Sequence, residues 1–217
     1  MLIVRRVADW LRGCGIRLGL SAVAVAGAGC GGTEGGVAAF IDAVGADSDA
    51  DYDPMMSAAD GVEVADLIVV GRIVGVTEGR QVDESANSGP IVARFAIFQV
   101  EVEKVVHGTR LDGDSGLLNV NIYVDLLTPW DSIAGSVPDA RALFVMSDLL
   151  DWNPRGRLEG FPAVTYFANP DGLWFETEGG PPAGVYAEIA DVERRWGEAI
   201  PTLDDFIAKL EVAAAAE

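Results

Sequence analysis

Phe95-Ala96-Ile97-Phe98-Gln99-Val100-Glu101-Val102-Glu103-Lys104-Val105-Val106 is the stretch that decides the fold. Phe98, Val100 and Val102 fall on one side, and Gln99, Glu101 and Glu103 on the other. A period of two is the spacing of a strand with one buried and one wet face. His107-Gly108 closes the run.

The same signal recurs on both sides of it. Leu118, Val120, Ile122 and Val124 alternate with Asn119, Asn121 and Tyr123. Leu67 to Val76 is a continuous, β-branched apolar run, the pattern of a buried strand. Its interruptions, Gly71 and Gly75, predict bulges or tight bends. Arg141 to Ser147 is a further apolar strand. Ala163–Ala168 and Leu173–Thr177 flank Asn169-Pro170-Asp171-Gly172, a turn sequence, and predict a hairpin.

Helical spacing appears only near the ends. Val37 to Val44 predicts a short helix, and Met55 to Asp66 a weak one. Val185, Ile189, Val192 and Trp196 share one helical face. Thr202, with Asp205 three residues on, caps a last helix striped by Leu203, Phe206, Ile207 and Leu210. The expected fold is mainly β: a small antiparallel barrel with C-terminal helices packed outside it.

Ala65-Asp66-Leu67-Ile68-Val69-Val70-Gly71-Arg72-Ile73-Val74 resembles the first strand of a netrin-like, OB-type barrel. A second strand of that pattern ends in a polar residue and glycine, as Val100 to Gly108 does, and Arg141-Ala142-Leu143-Phe144-Val145 resembles a later one. The resemblance covers roughly residues 60–176. It implies a fold and an envelope location, and no reaction.

The N-terminus carries a different message. Arg5, Arg6, Arg12 and Arg17 precede an apolar stretch, Leu18 to Ala28. A basic start, a short apolar core and small residues before a cleavage point make an export signal, and this core is too short to span a bilayer. Ala26-Gly27-Ala28-Gly29-Cys30 resembles the lipobox of bacterial lipoproteins, although Gly27 stands where that motif usually carries a larger aliphatic residue. The resemblance implies that Cys30 is diacylated and becomes the new N-terminus. Two acyl chains hold a protein on a membrane where one does not. The expected organisation is a signal peptide over 1–29 and a lipidated N-terminus with an acidic flexible tether over 30–54. The β-barrel domain follows over 55–182, and helices over 183–217.

Charge narrows the partners. The 217-residue chain has a formal net charge of −19. Past Gly29 it holds 11 basic and 33 acidic residues, a net of −22. Nucleic acid is excluded as a partner, since phosphate binding needs Lys and Arg. Cys14 falls in the leader and Cys30 is the lipid site, so no disulfide or thiol chemistry is left to the mature domain.

Motifs for chemistry are sparse. Gly113-Asp114-Ser115-Gly116 spells the surroundings of a serine nucleophile, but His107, the single histidine, lies only eight positions before Ser115. Glycine, aspartate and serine are also the usual turn residues, and the β-turn reading is preferred. One histidine does not make a zinc site. Asp47, Asp49, Asp51 and Asp53 alternate as calcium ligands do, and Asp60 stands twelfth counting from Asp49, but the sixth position is Pro54 rather than glycine. An acidic, solvated linker is the preferred reading. Glu101 and Glu103 share a strand face without the spacing of a catalytic pair. No phosphate-binding glycine loop occurs, and no cofactor is expected.

Trp130, Trp152 and Trp174 fall in or beside expected loops, and Trp152 is followed by Arg155 and Arg157 on an otherwise acidic chain. Aromatic and arginine side chains together are frequent at interaction surfaces. Trp130, Trp152, Arg155 and Arg157 are therefore the candidate surface for an envelope protein or small ligand. The alternative is that the tryptophans cover the barrel ends. The sequence thus points to a membrane-anchored envelope protein acting as a binding or structural module. Two further classes stay open: an extracellular hydrolase using carboxylates alone, and calcium-dependent adhesion through the acidic segment.

Overall fold

The strand read over residues 95–106 extends to Val92–Gly108 in the computed structural model, where it is β2. The structure describes residues 33–44, 54–83, 92–110, 116–124, 127–148 and 166–216. All belong to one unit, Gly31–Glu217. In chain order they form α1 (Thr33–Val44), α2 (Ala58–Glu63), β1 (Leu67–Asp83), β2 (Val92–Gly108), β3 (Leu117–Val124), α3 (Trp130–Ser136), β4 (Arg141–Asp148), β5 (Tyr166–Phe175), β6 (Ala183–Gly184), α4 (Ile189–Trp196) and α5 (Leu203–Ala214).

The strands make a six-stranded sheet in the order β3-β2-β1-β4-β5-β6. Every ladder in that order is antiparallel. The mainly β class is what the structure shows, with helices on the sheet. A closed barrel is the finer expectation, and the described strands stop short of it: β3 and β5 meet in parallel over only two pairs, Val120↔Tyr166 and Asn121↔Phe167.

The long β1–β2 pair slips register between Ile68 and Val69, Val70 and Gly71, Ile73 and Gly75, and Glu78 and Gln81. Such irregularities bend and twist a sheet. The two glycines sit where the sequence placed bends. At Gly71 the reason is contact, since a Cβ there would lie 2.3 Å from the Glu101 carbonyl oxygen.

Alternation along the strands builds two cores. Leu67, Val69, Phe98, Val100, Leu118, Val120, Ile122, Phe144 and Phe175 face the first. Ile68, Val70, Leu143, Val145 and Trp174 face the second, which α2, α4 and α5 cover with Val62, Val192, Leu203, Phe206, Ile207 and Leu210. Thr202 caps α5 as expected: its Oγ1 accepts from the Asp205 backbone N–H at 3.1 Å. That bond contributes about 1 kcal/mol. The Phe206 ring packs between Trp174 and Trp196, with centroids 5.5 and 5.0 Å away.

Four local expectations are corrected. First, the helix expected over Val37–Val44 starts earlier, at Thr33, and puts Val37, Phe40 and Val44 into the first core. Second, the Asn169–Gly172 segment is not a hairpin turn. Met146 pairs with Ala168 and Phe144 with Leu173, so β5 runs past β4 on both sides of that segment as one bulged strand. The bulge brings backbone against backbone, and a Cβ on Gly172 would lie 2.4 Å from the Val145 carbonyl oxygen. Third, Val185 is not part of the α4 stripe; its backbone N–H donates to the Leu173 carbonyl at 3.1 Å and its side chain joins the first core. Fourth, Trp174, read as standing in or beside a loop, is fully buried in the second core.

A half-buried tyrosine ties the bulged side to β3. The Tyr186 hydroxyl donates to the Tyr123 carbonyl oxygen. Burial, with a smaller effect from Tyr123, raises its pKa above the ordinary value near 10. The unfolded chain therefore loses this proton before the folded one does. The stabilisation is complete below about pH 10 and is lost as pH rises beyond it, by up to ~1.4 kcal/mol per pH unit. Urea titrations at pH 9 and above should show a steeper loss for the wild type than for Tyr186→Phe; equal slopes would contradict this assignment.

Candidate binding surface

Trp130 opens α3, directly after Pro129 at its N-cap position. It is half-buried and packs against the first core. The Arg94 guanidinium, from the start of β2, lies 5.7 Å from the Trp130 ring centroid. The Arg94 side chain is only 8% exposed. Its Nη1 donates to the Thr128 carbonyl at 2.7 Å and its Nη2 reaches Glu78 Oε1 at 3.4 Å. Arg94 thus joins β1, β2 and the β3–α3 connection, and its cation–π contact holds Trp130 against the first core. α3 itself was not read from the sequence, because Asp131, Ser132, Gly135 and Ser136 leave it with Ile133 as its single buried residue.

Trp152, Arg155 and Arg157 lie outside the described residues, as do Cys30, Asp47, Asp49, Asp51, Asp53 and the turn sequence at 113–115. The first three belong to the connection between β4 and β5. Its two ends, Asp148 and Tyr166, are paired across the sheet. Tyr166 also pairs with Val120 of β3. The connection therefore leaves and re-enters at the place where β3 meets β5.

Asp60 is a helix-capping residue. Its Oδ2 accepts from the Met56 backbone N–H at 3.0 Å, and its own N–H donates to Ser57 Oγ at 3.1 Å. Among the described residues no group of three or more His, Cys, Asp or Glu side chains converges on a metal-sized site. With Asp60 committed to the helix end, millimolar calcium is expected to leave the thermal midpoint of the protein unchanged; a rise of several degrees would support the calcium reading.

The carboxylates are drawn to arginines. Glu103 lies 3.0 Å from Arg72 and 3.4 Å from Arg141. Arg72 also meets Asp139 at 3.2 Å, and Arg141 meets Glu176 and Asp204 at 3.0 Å each. Burial lowers the pKa of Arg141, but the bond to Asp204 and the fields of Glu176, Asp204 and Glu103 outweigh it, so the net shift is upward. Glu101, the other member of the strand-face pair, is exposed. His107 lies inside β2, opposite Ile68.

The most buried ionic group was missed from the sequence. Asp171, in the β5 bulge, is 2% exposed. Its Oδ2 accepts from the Met55 N–H at 3.1 Å and from Arg195 Nη2 at 2.7 Å. Arg195 Nε and Trp196 Nε1 both donate to the Met55 carbonyl at 3.2 Å. The Trp174 indole N–H donates to the Asp171 carbonyl at 2.5 Å. The bulge, the entry to α2 and the end of α4 are knotted together there. An aspartate in a turn-like tetrapeptide gives no sign of this; the basic pair Arg194-Arg195 on an otherwise acidic chain is the available hint.

Among the described residues no helix is long and apolar enough to cross a membrane. No protein-family profile, curated protein or solved structure matches this chain.

Proposed function

We propose that this chain is an exported lipoprotein, held in the cell envelope through diacylated Cys30, whose folded part is a netrin-like, OB-type module with a binding or structural role. One observation carries the anchor: small residues Ala26 to Gly29 precede Cys30 at the end of a basic-then-apolar leader. The barrel reading draws support from the parallel β3–β5 contact, because it brings the first and fifth strands of the sheet order together. The place for a ligand is the β4–β5 connection with Trp152, Arg155 and Arg157, which starts and ends at that contact. Its partner is an envelope protein or a small ligand.

Binding is favoured over hydrolysis because Glu103, Glu176, Asp204 and Asp171 each face an arginine. Each of these side chains is occupied by an ion pair within the domain. The test is fractionation of cells expressing the wild type or Cys30→Ser. The wild type is expected in the membrane pellet after a salt wash and the variant in the soluble fraction. Equal distribution of the two would overturn the anchor.

A further inference from the structure

We propose that the domain rests directly on the bilayer, with the start of α1 and the α3–β4 connection facing a zwitterionic headgroup layer. This rests on the lipid-anchor reading and goes beyond it. Only Gly31 and Gly32 separate Cys30 from Thr33, where α1 begins. Three Cα–Cα steps span at most about 11 Å whatever their conformation. α1 is not free to act as a spacer, because Val37, Phe40 and Val44 are buried in the first core. The acidic residues 46–53, expected as a spacer, follow α1 and join it to α2, so they add no length between anchor and domain.

The same geometry says which end is near the lipid. Gly36 packs on Pro138 of the α3–β4 connection, where an added Cβ would lie 3.7 Å from the proline Cβ. Asp139 is next along the chain, with its side chain 97% exposed. α5 lies on the second core, across the sheet from α1. The allowed span is close to the Debye length of about 8 Å at physiological salt. A mature chain of net charge −22 would feel an anionic leaflet at that distance, which is why a zwitterionic surface is the fitting partner.

The test uses the acylated full-length protein reconstituted into phosphatidylcholine vesicles that carry a nitroxide on the headgroup. Acylation leaves no other thiol in the mature chain, so Asp139→Cys and Val212→Cys each accept a single fluorophore. Quenching is expected to be several-fold stronger at position 139 than at 212, which lies on α5 with its side chain exposed. Inserting twenty Gly/Ser residues between Gly31 and Gly32, with a root-mean-square reach of about 25 Å, should abolish the difference. Intact mass of the same samples separates the two ideas. A chain without acyl groups removes the anchor reading and this inference with it. An acylated chain quenched equally at both positions, or more at 212, overturns this inference alone.

Discussion

Asp171→Ala is expected to destabilise the protein by about 3–5 kcal/mol, the cost of leaving one partner of a buried ion pair behind. The Asp171 side chain is 1% exposed and that of Arg195 19%. Without the carboxylate, the guanidinium stays largely buried without its counter-ion and the Met55 N–H loses its acceptor. The effect should spread, because Met55 also receives Arg195 and Trp196 through its carbonyl. Asp171→Asn keeps an acceptor of the same shape and removes only the charge, so its cost should be smaller, about 1–3 kcal/mol. Urea midpoints of the three proteins measure this. A change under about 0.5 kcal/mol for Asp171→Ala, the range of an ordinary surface site, would show that the knot does not hold the bulge.

Phe40→Ala should cost a similar amount, about 3–5 kcal/mol. Phe40 has no solvent exposure, and its ring meets Phe98 and Phe175 edge-on with centroids 5.5 and 5.3 Å away. The lost packing leaves a cavity against β2 and β5, which other core residues fill only in part. Asp42→Ala is the control, since Asp42 is exposed on the same helix and should change stability by less than about 0.5 kcal/mol. If α1 were a tether outside the domain, the two substitutions would be equally silent. Denaturant titration distinguishes these outcomes directly.

These two residues also show where sequence reasoning reaches and where it stops. The strands of period two were legible because burial of one face writes itself into every second residue, as in Phe98, Val100 and Val102. The α5 cap was legible because Thr202 and Asp205 satisfy a local need within one turn. Gly71 was legible as a bend, though the close approach of Glu101 that requires it is a tertiary fact. Phe40 was placed on a helix, but nothing local says that its ring meets Phe98 and Phe175, both more than fifty positions away. Asn169-Pro170-Asp171-Gly172 misled for the opposite reason. Its local chemistry suits a turn, and pairing with β4 on both sides converts it into a bulge. Asp171 then reads as a solvated turn residue until its long-range partners, Met55 and Arg195, are known. Of the candidate surface, Trp130 was found from composition, while its partner Arg94 came only with the sheet, because β2 and the β3–α3 connection are far apart in sequence.

The proposed role of Cys30 is to anchor this acidic domain to a membrane. Intact-mass measurement of wild type and Cys30→Ser, each purified from whole-cell extract, tests this most directly. The expected result is a wild-type chain that begins at Cys30 and carries a diacylglycerol-sized increment, and a variant that lacks the increment. Equal, unmodified masses for the two proteins would contradict it.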